Sequence, residues 1–162
     1  MNEFIISITS ESSTFELGKL IGQHADPGDI VCLIGDLGAG KTVLTQGIGA
    51  GLGLPAGATV NSPTYTIVAE RPGGRLPLYH FDLYRIKGPA DLADIAADDY
   101  LEGNGLCVVE WADLALEALG SDLLQVHIDF GPFEEDRVLS ITAGGPNSSR
   151  LLKAIEVAGK LL

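Results

Sequence analysis

An apolar run, Ile30-Val31-Cys32-Leu33-Ile34, leads straight into Gly35-Asp36-Leu37-Gly38-Ala39-Gly40-Lys41-Thr42. Leu44, Ile48 and Leu52 then recur at helical spacing. A strand with no polar position is one covered on both faces, which points to a parallel-type sheet between helices. The loop fits G-x-x-x-x-G-K-T. Its glycines permit positive φ, so successive backbone N–H groups can turn inward around a phosphate. A helix beginning near Lys41 aims its positive end at the same anion. Lys41 reaches outer phosphates as a point charge, and Thr42 offers a hydroxyl to Mg²⁺. The plain alternative is a glycine-rich turn that matches by accident. Strand and helix standing in the right order on either side weigh against it.

The rest of the chain agrees with an α/β reading. Residues 4–8 read as a strand. Ser13-Thr14-Phe15-Glu16 has the spacing of a capping box, with Leu17, Leu20, Ile21 and His24 on one helical face behind it. Residues 65–70 and 76–84 read as strands joined by the turn Arg71-Pro72-Gly73-Gly74-Arg75. The acidic stretch from Pro89 to Leu101 suggests a surface helix carrying Leu92 and Ile95. Leu106-Cys107-Val108-Val109 is a second wholly apolar strand, ending at Glu110-Trp111. Residues 123–130 and 137–142 alternate as an antiparallel pair, and a helix from Ser148 to Leu162 closes the chain. The expected fold is a P-loop NTPase-like mixed sheet flanked by helices, with residues 1–162 as a single domain.

At 162 residues the chain has one domain's worth of sequence, enough to bury roughly 70% of its unfolded surface. Its 22 acidic against 10 basic residues give a formal charge of -12, a surface that repels nucleic acid and anionic membranes. If the chain acts in a nucleic-acid pathway, a partner is expected to hold the nucleic acid. No run approaches the ~18 apolar residues of a membrane span, and the N-terminus lacks the basic start of a secretory signal. A cytoplasmic protein is expected. Cys32 and Cys107 fall inside apolar runs, which suits two buried thiols and leaves open a disulfide between neighbouring strands.

A phosphate loop needs a further acid to hold Mg²⁺ or position water, normally at the end of a neighbouring strand. Glu110 follows the apolar strand 106–109 and is assigned to Mg²⁺, directly or through water. Asp82 follows Leu78-Tyr79-His80-Phe81 and is assigned to catalysis as a base or water-orienting group; a solvated strand-end acid fits its position as well. Asn61-Ser62-Pro63-Thr64-Tyr65-Thr66 lies where P-loop proteins carry switch segments. On its residues alone it is equally an ordinary Pro-led loop.

The loop, then Asn61 to Thr66, then Tyr79-His80-Phe81-Asp82-Leu83-Tyr84-Arg85, then Val109-Glu110-Trp111, in this order, resemble the TsaE family, also called YjeE. The likeness runs from about Ser13 to the C-terminus. It implies a Mg²⁺-dependent ATPase with slow intrinsic turnover, partnered by the TsaB–TsaD heterodimer in tRNA threonylcarbamoyladenosine biosynthesis. In that scheme TsaE sustains repeated cycles, and tRNA is met only through the partner complex. The resemblance further implies that Gly38, Ala39, Gly40, Lys41 and Thr42 bind phosphate, and that Thr42 and Glu110 handle Mg²⁺. It makes Asp82 important for hydrolysis, Thr64 the switch threonine, and Trp111 the tryptophan beside the site. Two departures stand out. The family carries a basic residue near the nucleotide after the strand ending at Phe130, whereas here Gly131-Pro132-Phe133-Glu134-Glu135 follows and the first basic residue is Arg137. Ala112-Asp113 stands where proline is usual. The family also touches the base through the segment corresponding to Thr9–Ser12.

Two other functions also use a phosphate loop. A small-molecule kinase normally clamps phosphates with several arginines, and this chain has five: Arg71, Arg75, Arg85, Arg137 and Arg150. Arg71 and Arg75 fall in a turn. A guanine-nucleotide switch uses N-K-x-D, and none of Asn2, Asn61, Asn104 or Asn147 precedes a lysine.

Overall fold

The computed structural model describes residues 2–36, 38–55, 68–84, 86, 90–91 and 97–160. Seven strands are present among them: β1 (Asn2–Ile8), β2 (Ile30–Gly35), β3 (Val68–Arg71), β4 (Leu78–Asp82), β5 (Leu106–Glu110), β6 (Leu124–Phe130) and β7 (Arg137–Ala143). Three long helices, α1 (Glu11–His24), α2 (Lys41–Gly51) and α5 (Pro146–Gly159), are joined by two short ones, α3 (Ala97–Leu101) and α4 (Leu116–Leu119).

The strands form one mixed sheet in the order β1-β7-β6-β2-β5-β4-β3. β2 runs parallel to both β5 and β6, and β5 runs parallel to β4. Antiparallel pairs flank this parallel centre, with β7 and β1 beyond β6 and β3 beyond β4. The apolar character of β2 and β5 follows from two cores, one on each face. Val31, Leu33, Leu106 and Val108 face the core with α1, α2 and α5. Cys32, Cys107 and Val109 face the other, with Phe81, Leu83 and Leu119. Each fully buried leucine or valine contributes about 1.5–3 kcal/mol, so these strands anchor the sheet at its centre. Both cysteines are free thiols, which closes the disulfide alternative. Burial pushes each thiol up to about 12, for Cys32 with the neighbouring Cys107 adding to the effect.

Local expectations shift in three places. The first helix begins at Glu11 and not at Ser13, because Ser10, in extended backbone, is its cap and accepts from the Ser13 N–H at 3.2 Å. Thr14 is consequently inside the helix and buried. The last helix starts at Pro146, two residues before the expected Ser148. The acidic stretch is helical over Ala97–Leu101, while Leu92 and Ile95 lie outside the described residues.

α2 is held in place by backbone contact. A Cβ at Gly18 would overlap the Leu44 carbonyl oxygen, and one at Gly47 would overlap that of Phe15. Glycine at these crossings lets α1 press directly against α2, which fixes the start of α2 at the end of β2.

Candidate active site at the start of α2

In an open α/β sheet, ligands sit beyond the carboxyl ends of the parallel strands. The carboxyl ends of β2, β5 and β4 carry the loop before α2, Glu110 and Asp82. Asp82 and Glu110 are direct register partners on adjacent parallel strands. A cleft of about 420 Å³ is lined by Gly38, Gly40, Lys41, Thr42, Asp82 and Glu110, with Glu11, Tyr84 and Trp111 along its sides. The structure therefore brings the loop residues and both candidate acids to one place. Thr64 and its flanking residues lie outside the described residues.

The loop takes the turns that its glycines permit. Gly38 has φ +81° and Gly40 φ +117°. Gly40 precedes α2, and no side chain caps that helix. Ala39, between the two glycines, is fully buried, and its N–H donates to the Asp36 carbonyl at 3.0 Å. Thr42 is exposed to the cleft.

Lys41 is buried and its side chain bends back along the loop. Nζ donates to the Gly35 carbonyl at 2.5 Å and to that of Asp36 at 3.0 Å. It also sits 4.2 Å from the centroid of the Trp111 ring, a cation–π contact. Burial lowers the Lys41 pKa, while the carboxylates of Glu110, Asp36, Asp113 and Asp82 oppose that shift. Trp111 reaches this position from φ +58°, the only positive φ outside glycine among the described residues. Such backbone is costly for a bulky residue and is concentrated at functional sites. The Tyr84 ring packs beside Trp111 at 5.0 Å between centroids.

The two acids differ in surroundings. Glu110 is 2% exposed, and its Oε2 lies 2.5 Å from His80 Nε2. His80 is equally buried, and its Nδ1 has no hydrogen-bond partner among the described residues. One carboxylate oxygen of Glu110 is thus fixed by the imidazole. Asp82 is half-buried and accepts from the Tyr84 N–H at 3.0 Å. Burial pushes its carboxyl up, and the charge of Glu110 adds to this against the downward pull of the Tyr84 hydrogen bond, His80 and Lys41.

No group of three or more His, Cys, Asp or Glu among the described residues could hold a metal ion unaided. The oxygen donors that line the cleft are the Thr42 and Tyr84 hydroxyls and the carboxylates of Glu11, Asp82 and Glu110. Such a set suits Mg²⁺, which keeps waters and shares phosphate oxygens with one or two protein ligands.

Two contributors escaped the sequence reading. His80 stands two residues before Asp82 and so on the same face of β4, which is the signal that could have placed it beside Glu110. Arg137 is the first basic residue after residues 131–135, but nothing local to it says which peptide it reaches. From the start of β7 it reaches the phosphate loop, where Nε donates to the Ala39 carbonyl at 2.8 Å. Residues 131–135 carry no basic side chain, and the basic side chain that reaches the loop comes from the strand that follows them.

Comparison with known proteins gives one consistent result. A family model described as "Threonylcarbamoyl adenosine biosynthesis protein TsaE" matches residues 8–138. The Bacillus subtilis (strain 168) protein named tRNA threonylcarbamoyladenosine biosynthesis protein TsaE is 44% identical over 132 residues, covering 82% of this chain and 80% of that one. The Haemophilus influenzae protein of the same name is 36% identical over 141 residues, covering 84% of this chain and 87% of its own length. Among solved structures, the crystal structure of Bacillus subtilis YdiB superposes with a TM-score of 0.80 at 35% identity, over 98% of this chain and 97% of that chain.

Proposed function

The chain belongs to the TsaE family, and on that premise we propose that it is a Mg²⁺-dependent ATPase of tRNA threonylcarbamoyladenosine biosynthesis. It acts in the cytoplasm as a single domain over residues 1–162 and works with the TsaB–TsaD heterodimer to sustain repeated cycles. The observation that carries this reading is the convergence of Lys41, Thr42, Asp82 and Glu110 on one cleft at the start of α2.

Gly38 to Thr42 bind the phosphates of ATP, with the first-turn amides of α2 and the Lys41 ammonium as donors. The lysine leaves the Gly35 and Asp36 carbonyls to do so. Thr42 and Glu110 hold Mg²⁺, and the metal when bound neutralises charge that develops on the phosphate oxygens. Asp82 accepts a proton from the attacking water or orients it; a carboxylate raised by burial suits a base better than an unshifted one. Trp111 keeps one side of the site apolar, and Thr64 serves as the switch residue. With a net charge of -12 the chain meets tRNA through its partner complex. No helix among the described residues is long and apolar enough to cross a membrane.

Hydrolysis of Mg-ATP by the purified protein, alone and with the TsaB–TsaD pair, tests this. Slow turnover alone and clear stimulation by the pair are expected. ATP bound with no response to the pair would contradict the partner assignment, and no ATP bound in either case would contradict the phosphate site itself.

A further inference from the structure

Arg137 opens β7, where it is the register partner of Phe130 on β6 and of Ile8 on β1. It is therefore rooted in a three-stranded part of the sheet. Its guanidinium is spent almost wholly on backbone. Nε donates to Ala39 O at 2.8 Å, and Nη2 to Gly38 O at 3.4 Å. Nη1 donates to the carbonyls of Glu134 and Asp136, both at 2.8 Å. The Phe130 ring lies 4.8 Å from the guanidinium carbon. These contacts use four of the five N–H donors of the group.

Which peptide it holds matters. The chain has no cis bond among the described residues, so the Ala39 carbonyl and the Gly40 N–H lie in one plane and point in opposite directions. A donor that fixes the Ala39 oxygen from one side fixes the direction of the Gly40 N–H on the other. Gly40, at φ +117° and without a Cβ, does little to restrict rotation of that peptide. Nothing on α2 itself supplies the restraint, since Gly40 has no side chain and the helix no side-chain cap. The Lys41 ammonium secures the loop further upstream, at Gly35 and Asp36.

We propose that Arg137 is a positioning residue for the phosphate loop, bracing the Gly38–Ala39 carbonyls from β7 so that the Gly40 amide is aimed for phosphate. The proposal rests on the reading of this loop as a phosphate site, and it assigns Arg137 a role that needs no contact with the ligand. Arginine is required by its fork: Nε and Nη2 reach two successive carbonyls while Nη1 stays tied to the hairpin. A lysine has the charge without that geometry.

The test uses the full chain with Arg137→Lys and Arg137→Ala, read in two ways. Titration with Mg-ADP is expected to show binding weakened about tenfold in both variants, the scale of one lost hydrogen bond of this kind. Amide hydrogen exchange on the nucleotide-free proteins is expected to be faster at residues 38–42 in both, with Leu139 and Ile141 in the body of β7 unchanged. A merely structural role would instead speed exchange along β7. If Arg137→Lys binds within about twofold of the parent while Arg137→Ala does not, the residue acts through its charge and the proposal is overturned. Unchanged exchange at 38–42 also overturns it. Failure of the parent protein to bind Mg-ADP would sink the phosphate-site reading, and the exchange comparison would still decide whether Arg137 braces the loop.

Discussion

α5 and α2 both follow a glycine, and they treat the amides of their first turns in opposite ways. At α5 the chain supplies its own anion. Asp122, from the segment before β6, accepts from the Asn147 N–H at 3.0 Å, the Ser148 N–H at 2.9 Å and the Ser148 hydroxyl at 2.6 Å. At α2 there is no side-chain cap and no acid in the first turn, and the first residue is a buried lysine. The acids that line the cleft belong to other elements, Asp82 and Glu110 to neighbouring strands and Glu11 to the start of α1. One helix start is complete as folded. The other has its donors arranged around a space and no acid on its own first turn, the arrangement expected of a site that takes an anion from outside. The same contrast separates the carboxylates: Asp122 is held by donors to stabilise a helix, whereas Asp82 is kept half-buried at a cost.

The sharpest way to break this comparison is to remove one acid from each end. Asp82→Asn keeps an acceptor for the Tyr84 N–H but cannot take a proton. ATP turnover should fall by roughly 10²–10⁴ with affinity for ATP nearly unchanged. Stability should hold or rise. Burial raises the Asp82 pKa in the fold, so its contribution is greatest when it is protonated and declines as pH rises through the carboxylate range. A thermal unfolding scan at neutral pH checks this, and a clear drop in Tm would mean that Asp82 is structural. If binding is lost while turnover per bound nucleotide persists, the catalytic assignment is wrong.

A smaller effect is expected at the other end. Asp122→Ala should cost about 1 kcal/mol of unfolding free energy, the value of a helix cap, and leave ATP turnover unchanged. Burial pushes the Asp122 carboxyl up, but the hydrogen bonds from Ser148 and Asn147 outweigh it and hold the pKa below its ordinary value of 3.8. Its stabilising effect is therefore present above that value and lost as pH falls through the depressed one. Urea midpoints for parent and variant should differ at neutral pH and converge in acid; an equal gap at both would show that the charge plays no part.

Much of this architecture was legible because it is local. β2 and β5 read as buried strands from unbroken apolar runs, and the loop read as a phosphate site because strand, glycines, lysine and helix are contiguous. The start of α1 was legible only in part. Ser10, Ser12 and Ser13 all stand near it, and the choice of Ser10 depends on Thr14 being packed inside. What could not be read is what joins distant positions. Asp122 caps a helix that begins beyond two strands. Arg137 braces a peptide 98 residues away in the chain. His80 pairs with Glu110 across two strands whose order the sequence does not state. The contact of α1 with α2 is written as Gly18 and Gly22 opposite Gly47 and Gly51, but glycines inside helices carry no sign of what they approach. The switch assignment of Thr64 remains a proposal from the family resemblance, since that residue lies outside those described.

Everything proposed for the cleft depends on phosphate binding by the uncapped start of α2 through Lys41. Calorimetric titration of Mg-ATP into the parent protein and into Lys41→Ala, with thermal unfolding of both as the check on folding, tests it most directly. Saturable binding by the parent is expected, with its loss in a variant that still unfolds cooperatively. Equal affinity in the two proteins would contradict it.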